Sequence, residues 1–254
     1  MIPRIIPVLL IRNNGLFKTR RFTDAKYVGD PVNAVKVFNA KEVDELIILG
    51  FSTTVDEKTP DYELIEYIAN QCFMPLCYGG GIKNVEDIRR IIHSGVEKVA
   101  LNTIAAERPS FVEDAATLFG SSTIVISMDV KKNLFGKYDV FTRSGTKPVN
   151  LSPEKYARQM EDCGAGEILI NSIERDGTMQ GYDLELIHLV AEAVSIPVIA
   201  SGGAGSLIHF REAMDNGASA MAAGSFFVFH GKHRGILISY PSQNELLTLF
   251  GDQK

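Results

Sequence analysis

Short apolar runs recur along this chain, separated by longer stretches in which apolar residues fall three and four apart. The β-branched runs predict strands at Arg4 to Leu10, Glu45 to Leu49, Pro75 to Tyr78, Lys98 to Leu101, Thr123 to Asp129, Glu167 to Asn171, Pro197 to Ser201 and Ala218 to Ala223. Helical spacing predicts Asn84 to Ser94, Ser152 to Asp162 and Asp183 to Val194, with an Asn, Ser or Asp at each start to cap it, and a last amphipathic helix within Tyr240 to Phe250. Strand alternating with helix implies a parallel sheet, and nearly continuous apolar strands imply that both of its faces are covered. A closed barrel and an open doubly wound sheet both satisfy that pattern.

An internal repeat separates the two. Gly80 of Tyr78-Gly79-Gly80-Gly81-Ile82 aligns with Gly202 of Ala200-Ser201-Gly202-Gly203-Ala204, an offset of 122. The same offset carries Glu45 to Glu167, Gly95 to Gly217 and Asn102-Thr103 to Gly224-Ser225. Two similar (βα)4 halves close naturally into an eightfold barrel, whereas an open sheet has no reason to repeat. The expected fold is therefore a (β/α)8 TIM barrel with a twofold half-barrel repeat, one domain spanning residues 1–254.

The repeat also places chemistry. Glycine-rich or hydroxyl-bearing turns follow the third, fourth, seventh and eighth strands, and such turns let backbone N–H groups approach an anion. Tight βα turns would use the same glycines. Two matched pairs favour phosphate, with Gly81, Asn102, Thr103, Gly203, Gly224 and Ser225 as candidate ligands at two ends of one barrel mouth, which suits a long molecule phosphorylated at both ends.

Composition narrows the classes. With 254 residues, 45% hydrophobic and 22% charged, the chain can bury a large core. Its formal net charge of −5 argues against a nucleic-acid or anionic-membrane binder. Cys72, Cys77 and Cys163 lack CxxC spacing and read as reduced thiols of a cytoplasmic protein, and no metal site or cofactor motif is visible. The start, Met1 to Pro7, lacks a basic leader and a membrane-spanning run. None of the five histidines falls in a recognisable motif.

Arg4-Ile5-Ile6-Pro7, Gly29-Asp30-Pro31, Tyr78 to Ile82, Lys98 to Thr103, Gly164 to Leu169, Arg175-Asp176-Gly177-Thr178 and Ala200 to Gly205, taken in order, resemble the cyclase subunit of imidazole glycerol phosphate synthase over nearly the whole chain. That resemblance implies a barrel docked to a glutaminase partner in a heterodimer. Ammonia passes through it to split and cyclise a bisphosphorylated ribulosyl imidazole carboxamide nucleotide. It implies phosphate contacts that include Asp176 and Gly177, a lysine at Lys18 in a flexible first loop, and an ammonia gate of Arg4, Glu45, Lys98 and Glu167 at the strand starts. Barrel bottoms usually serve stability, yet an ionised ring is a costly way to obtain it.

The family's chemistry uses two aspartates at the ends of the first and fifth strands, since ammonia addition and ring closure both move protons. Asp129 fits the second. The first position falls on Leu10, which cannot move a proton. Gly50-Phe51-Ser52 stands where the family commonly has an acid, and Asn171 where it commonly has threonine. Arg12, Arg143 and Lys147 are further anion candidates, or solvated loop charges. Three readings follow: a working cyclase of histidine synthesis; a diverged paralogue that still conducts ammonia, resembling homologues that serve acetamidino-sugar formation for surface polysaccharides; and a phosphate-ligand sensor or scaffold.

Overall fold

A computed structural model describes residues 2–231 and 233–251. The first barrel strand is β1 (Arg4–Arg12), followed by a hairpin of β2 (Gly15–Arg20) and β3 (Thr23–Gly29). The remaining barrel strands are β4 (Leu46–Gly50), β5 (Leu76–Gly79), β6 (Lys98–Leu101), β7 (Ile124–Lys132), β10 (Glu167–Ser172), β11 (Val198–Ser201) and β12 (Ala220–Ala223). Between β7 and β10 lie β8 (Tyr138–Thr142) and β9 (Lys147–Pro148). The parallel order β1-β4-β5-β6-β7-β10-β11-β12 returns to β1, where Arg4 pairs with Ala220, so the sheet closes into the expected eight-stranded barrel.

Helices cover the outside: α1 (Pro31–Ala40), α2 (Tyr62–Ala69), α3 (Val85–His93), α4 (Thr103–Glu107), α5 (Ser110–Phe119), α6 (Pro153–Asp162), α7 (Leu184–Ala191), α8 (Leu207–Asp215), α9 (Ser225–Val228) and α10 (Gln243–Phe250). Their starts follow local chemistry. Asn84 and Asp87 form a reciprocal cap on α3, Ser242 and Glu245 do so on α10, and Asp30 precedes a proline at the start of α1. The repeat is visible in three dimensions. Shifted by 122, β5 falls on β11, β6 on β12, α2 on α7 and α3 on α8, and the capping acids Asp61 and Asp183 correspond. Gly95 and Gly217 both adopt left-handed backbone, φ +95° and +98°, which explains why both matched positions are glycine.

Strand period sorts the side chains into two cores. Ile5, Leu9, Leu46, Ile48 and Ile168 point outward into the layer beneath the helices, where Phe38, Phe111, Phe210 and Phe227 are fully buried. Ile6, Val8, Ile47, Cys77, Ala100, Val125, Leu169 and Ile199 fill the lumen. The inward positions step by two, as pleating requires. Arg4, Ile6, Val8 and Leu10 climb one strand, Lys98, Ala100 and Asn102 another, and Glu167, Leu169 and Asn171 a third. Each column thus runs from a charge at the bottom through apolar packing to a pocket residue at the top.

Candidate functional site

At the bottom, the four charges close on one another. Arg4 donates from Nη1 to Glu45 at 2.5 Å and from Nη2 to Glu167 at 2.6 Å, while Lys98 reaches Glu45 at 3.2 Å and Glu167 at 3.0 Å. Each cation bridges both carboxylates, so the ring is neutral and alternating. Burial alone would pull Arg4 down; Glu167 first and then Glu45 reverse that and leave it raised. Cys77, in the lumen, pairs with Lys98 of the ring in the sheet, and its thiol is pushed up by burial and then by Glu45.

At the opposite end, one pocket gathers Leu10, Lys18, Asn102, Thr103, Asp129, Asp176, Gly177, Gly203, Gly224 and Ser225. Asp129 is buried, and burial followed by the nearby Asp176 raises it to about 7, against a hydrogen bond from Asn102. A carboxyl poised there can hold or release a proton near neutrality. No carboxylate faces it from the first strand. Leu10 pairs with Leu49 and Phe17 in the sheet and lines the wall with carbon.

Four of the expected residues sit in settings that the sequence did not show. The first loop is a hairpin: Asn13 and Asn14, both at positive φ, make a two-residue turn that lays β2 against β1. Lys18 is consequently buried, with Nζ donating to the Val8 carbonyl beside Gly224, and burial lowers it to about 8, opposed by Asp176. It is not a solvated loop charge. The Asp176 carboxylate clamps the hairpin, its Oδ2 accepting from Thr19 Oγ1 at 2.8 Å and the Phe22 N–H at 3.3 Å. The Asn102 amide donates to the Ser127 carbonyl at 2.8 Å and to Asp129 at 3.2 Å, and so orients the acid. Gly81 lies outside the pocket wall, its N–H given to Thr54 Oγ1 at 3.2 Å beneath the segment that contains Thr53. Its repeat partner Gly203 does line the pocket.

The two ends of the pocket differ accordingly. At one end the N–H groups of Gly203, Ala204, Gly224 and Ser225 meet no protein acceptor among the described residues, and the Lys18 ammonium sits beside Gly224. Buried unpaired N–H groups are costly, so a cluster of them beside a cation suits an anion. At the other end Thr103 Oγ1 accepts from the Arg143 N–H at 3.3 Å, and Arg143 Nε is buried without a partner. The turn between β8 and β9 is held there by Ser144 Oγ, which donates to the Phe51 carbonyl at 2.6 Å. Arg143 thus joins the wall, while Arg12 stacks on Phe17 and Phe51 and Lys147 pairs with Glu107. Asn171 Oδ1 is also buried and unpaired, beside Asp129 in the ladder. Among the described residues no His, Cys, Asp and Glu cluster could hold a metal ion, and no helix is long and apolar enough to cross a membrane.

Residues 4–234 match the family described as "Histidine biosynthesis protein". A Pseudomonas aeruginosa protein provisionally named imidazole glycerol phosphate synthase subunit hisF2 is 48% identical over 244 residues, 96% of this chain and 97% of the relative. A provisionally named hisF3 of Vibrio vulnificus is 47% identical, with 95% and 94% covered. The imidazole glycerol phosphate synthase subunit HisF of Alkaliphilus metalliredigens is 42% identical, with 89% and 90% covered.

Proposed function

We propose, for a chain that belongs to the histidine biosynthesis protein family and within it to the imidazole glycerol phosphate synthase HisF subunits, that it docks a glutaminase and conducts ammonia to a phosphorylated ligand without carrying the full cyclase chemistry. Ammonia enters at the ring of Arg4, Glu45, Lys98 and Glu167 and travels the apolar lumen, whose lining neither binds nor protonates it. A phosphorylated molecule is held between the Gly203, Gly224 and Ser225 end and the Thr103 end. Among the described residues, Asp129 is the carboxyl that the eight barrel strands present to the pocket, with Lys18 of the hairpin as the neighbouring cation.

The observation that carries this reading is the contrast between the two ends: an intact ring of four paired charges below, and Leu10 above where a proton-moving partner for Asp129 would stand. Replacing a buried ion network by apolar residues is often neutral or stabilising, so stability alone does not call for the ring. The acceptor of the ammonia is then a separate amidation, and the one favoured is formation of an acetamidino group on a surface-polysaccharide sugar, completed by a third enzyme. That hisF2 and hisF3 relatives are numbered as additional copies supports a role beside a first, ordinary subunit.

A second reading, the genuine cyclase, draws on Asp176. It is a second carboxylate close enough to raise Asp129, and Thr19 and Phe22 hold it in place. Turnover separates the two. The purified chain is given the bisphosphorylated ribulosyl imidazole carboxamide nucleotide and excess ammonium at alkaline pH, beside Leu10→Asp. Activity only in Leu10→Asp is the expected result; substantial activity in the unaltered chain refutes the paralogue reading and makes the product imidazole glycerol phosphate.

A further inference from the structure

We infer that His209 is a positioning residue for the anion-binding turn, its Nδ1 lone pair locking the segment Gly203 to Gly205 in the shape that keeps the Gly203 and Ala204 N–H groups free at the pocket wall. The inference rests on reading that end of the pocket as a phosphate cradle.

The geometry begins at the start of α8. Ser206, the capping residue, offers no side-chain hydrogen bond to the helix. Instead His209, three residues on, reaches back, and its Nδ1 accepts the Gly205 N–H at 3.1 Å. A ring nitrogen that accepts carries no proton, so this bond requires the tautomer with its proton on Nε2. The same ring lies against Gly181, where an added Cβ would stand 3.6 Å from Nε2. Gly181 in turn donates its N–H to the Gly203 carbonyl at 2.8 Å. His209 therefore touches both segments that shape the turn, the one through Gly205 and the other through Gly181.

The turn needs such a lock. Gly202, Gly203, Ala204 and Gly205 form a stretch with little side chain to hold it, and Gly202 and Gly203 sit at φ +87° and +114°. Neither Gly203 nor Gly205 can be stiffened by a side chain, because a Cβ would collide with the Gly181 carbonyl at the first and the Met179 carbonyl at the second. A turn that must stay glycine for these close approaches would otherwise pay ordering entropy each time an anion bound. The bond from Gly205 to His209 supplies the order in advance, and it also removes the Gly205 N–H from the set of donors.

The test uses the full chain labelled with nitrogen-15 and titrated with glycerol 3-phosphate, read at the amides of residues 203 to 206 so that the Thr103 end does not contribute. His209→Phe keeps bulk and removes the acceptor; His209→Asn places Oδ1 where Nδ1 stood. The expectation is binding about five- to tenfold weaker in His209→Phe, the factor that one net hydrogen bond supplies, with His209→Asn within about twofold of the unaltered chain. Equal affinity in all three, or equal loss in both variants, overturns the role of the acceptor while leaving the cradle intact. No binding by the unaltered chain refutes the phosphate reading of this end and the role of His209 with it. If His209→Phe does not fold, the unaltered chain still decides: slow exchange at Gly205 with the imidazole proton on Nε2 supports the lock, and a proton on Nδ1 overturns it.

Discussion

Glu45→Gln isolates the energetic logic of the ring. The Glu45 side chain is 3% exposed and accepts from both Arg4 and Lys98. Glutamine keeps the volume but has one acceptor oxygen, so its amide N–H2 must face a cation that also donates. The ring then carries a net positive charge, and Arg4 and Lys98 share Glu167. Removing one partner from a buried pair costs about 3–5 kcal/mol. The Arg4 and Lys98 side chains retain 31% and 19% exposure, so water recovers part of that loss and the expected cost is about 2–3 kcal/mol. For a chain of this size that is a fall in Tm of roughly 5–10 °C. Urea unfolding at pH 7, followed by two probes to establish a single transition, measures it directly. The companion is a ring-free variant with Arg4→Met, Glu45→Leu, Lys98→Met and Glu167→Leu together, expected to be about as stable as the unaltered chain or more so. A Glu45→Gln variant within about 0.5 kcal/mol of the unaltered chain would refute the pairing energetics. A ring-free variant less stable than Glu45→Gln would show that the ring is there for stability and would remove the reason to assign it to conduction.

Asp129 predicts a pH dependence of stability. Its folded value near 7 lies above the ordinary carboxylate near 3.9, so the native chain holds a proton that the unfolded chain releases, and stability is lost as pH rises from about 4 through 7. Asp129→Asn should stabilise by up to about 4 kcal/mol at pH 8 and change little at pH 4; the same difference at both pH values contradicts the burial argument. Lys18, lowered to about 8, gives the opposite sign: its folded form gives up its proton early, so its cost to folding shrinks as pH climbs from 8 toward 10. Lys18→Met should therefore stabilise at pH 7 and lose that advantage by pH 10, as denaturant melts at the two pH values would show. Gly203→Ala should destabilise by roughly 2 kcal/mol or more, from its φ of +114° and the collision with Gly181, and should abolish glycerol 3-phosphate binding at that end. Unchanged binding would remove Gly203 from the cradle.

The barrel was legible because its signals are local. A strand buried on both faces must be apolar along its length, and a helix beneath solvent must be amphipathic, so each element writes its own period. The offset of 122 then carried topology, since two equal halves close one way. The strand pattern put β6 and the starts of β1 and β10 at their observed residues, and with them Arg4, Glu45, Lys98 and Glu167 at one height. What it missed lies over the mouth. The hairpin of β2 and β3 carries Lys18 and Thr19 inward and Arg20 outward, yet its polar residues look like a loop. A signal was available in Asn13-Asn14, a pair that tolerates the positive φ of a hairpin turn.

The amino-acid sequence by itself determined the closed barrel and the charged ring, because those follow from periodicity and residue identity at a fixed height; that Leu10 stands where an acid is expected came from the family resemblance. The tertiary structure decided which polar groups remain free for a ligand. Gly81 and Gly203 are equivalent in the repeat, but Thr54 takes the N–H of the first, while among the described residues no acceptor takes the N–H of the second. Asp176 and Asn102 spend their hydrogen bonds on Thr19, Phe22, Ser127 and Asp129, and Lys18 loses its solvent. Availability of a donor or acceptor depends on what chain segments far away in sequence bring against it, and no local pattern records that.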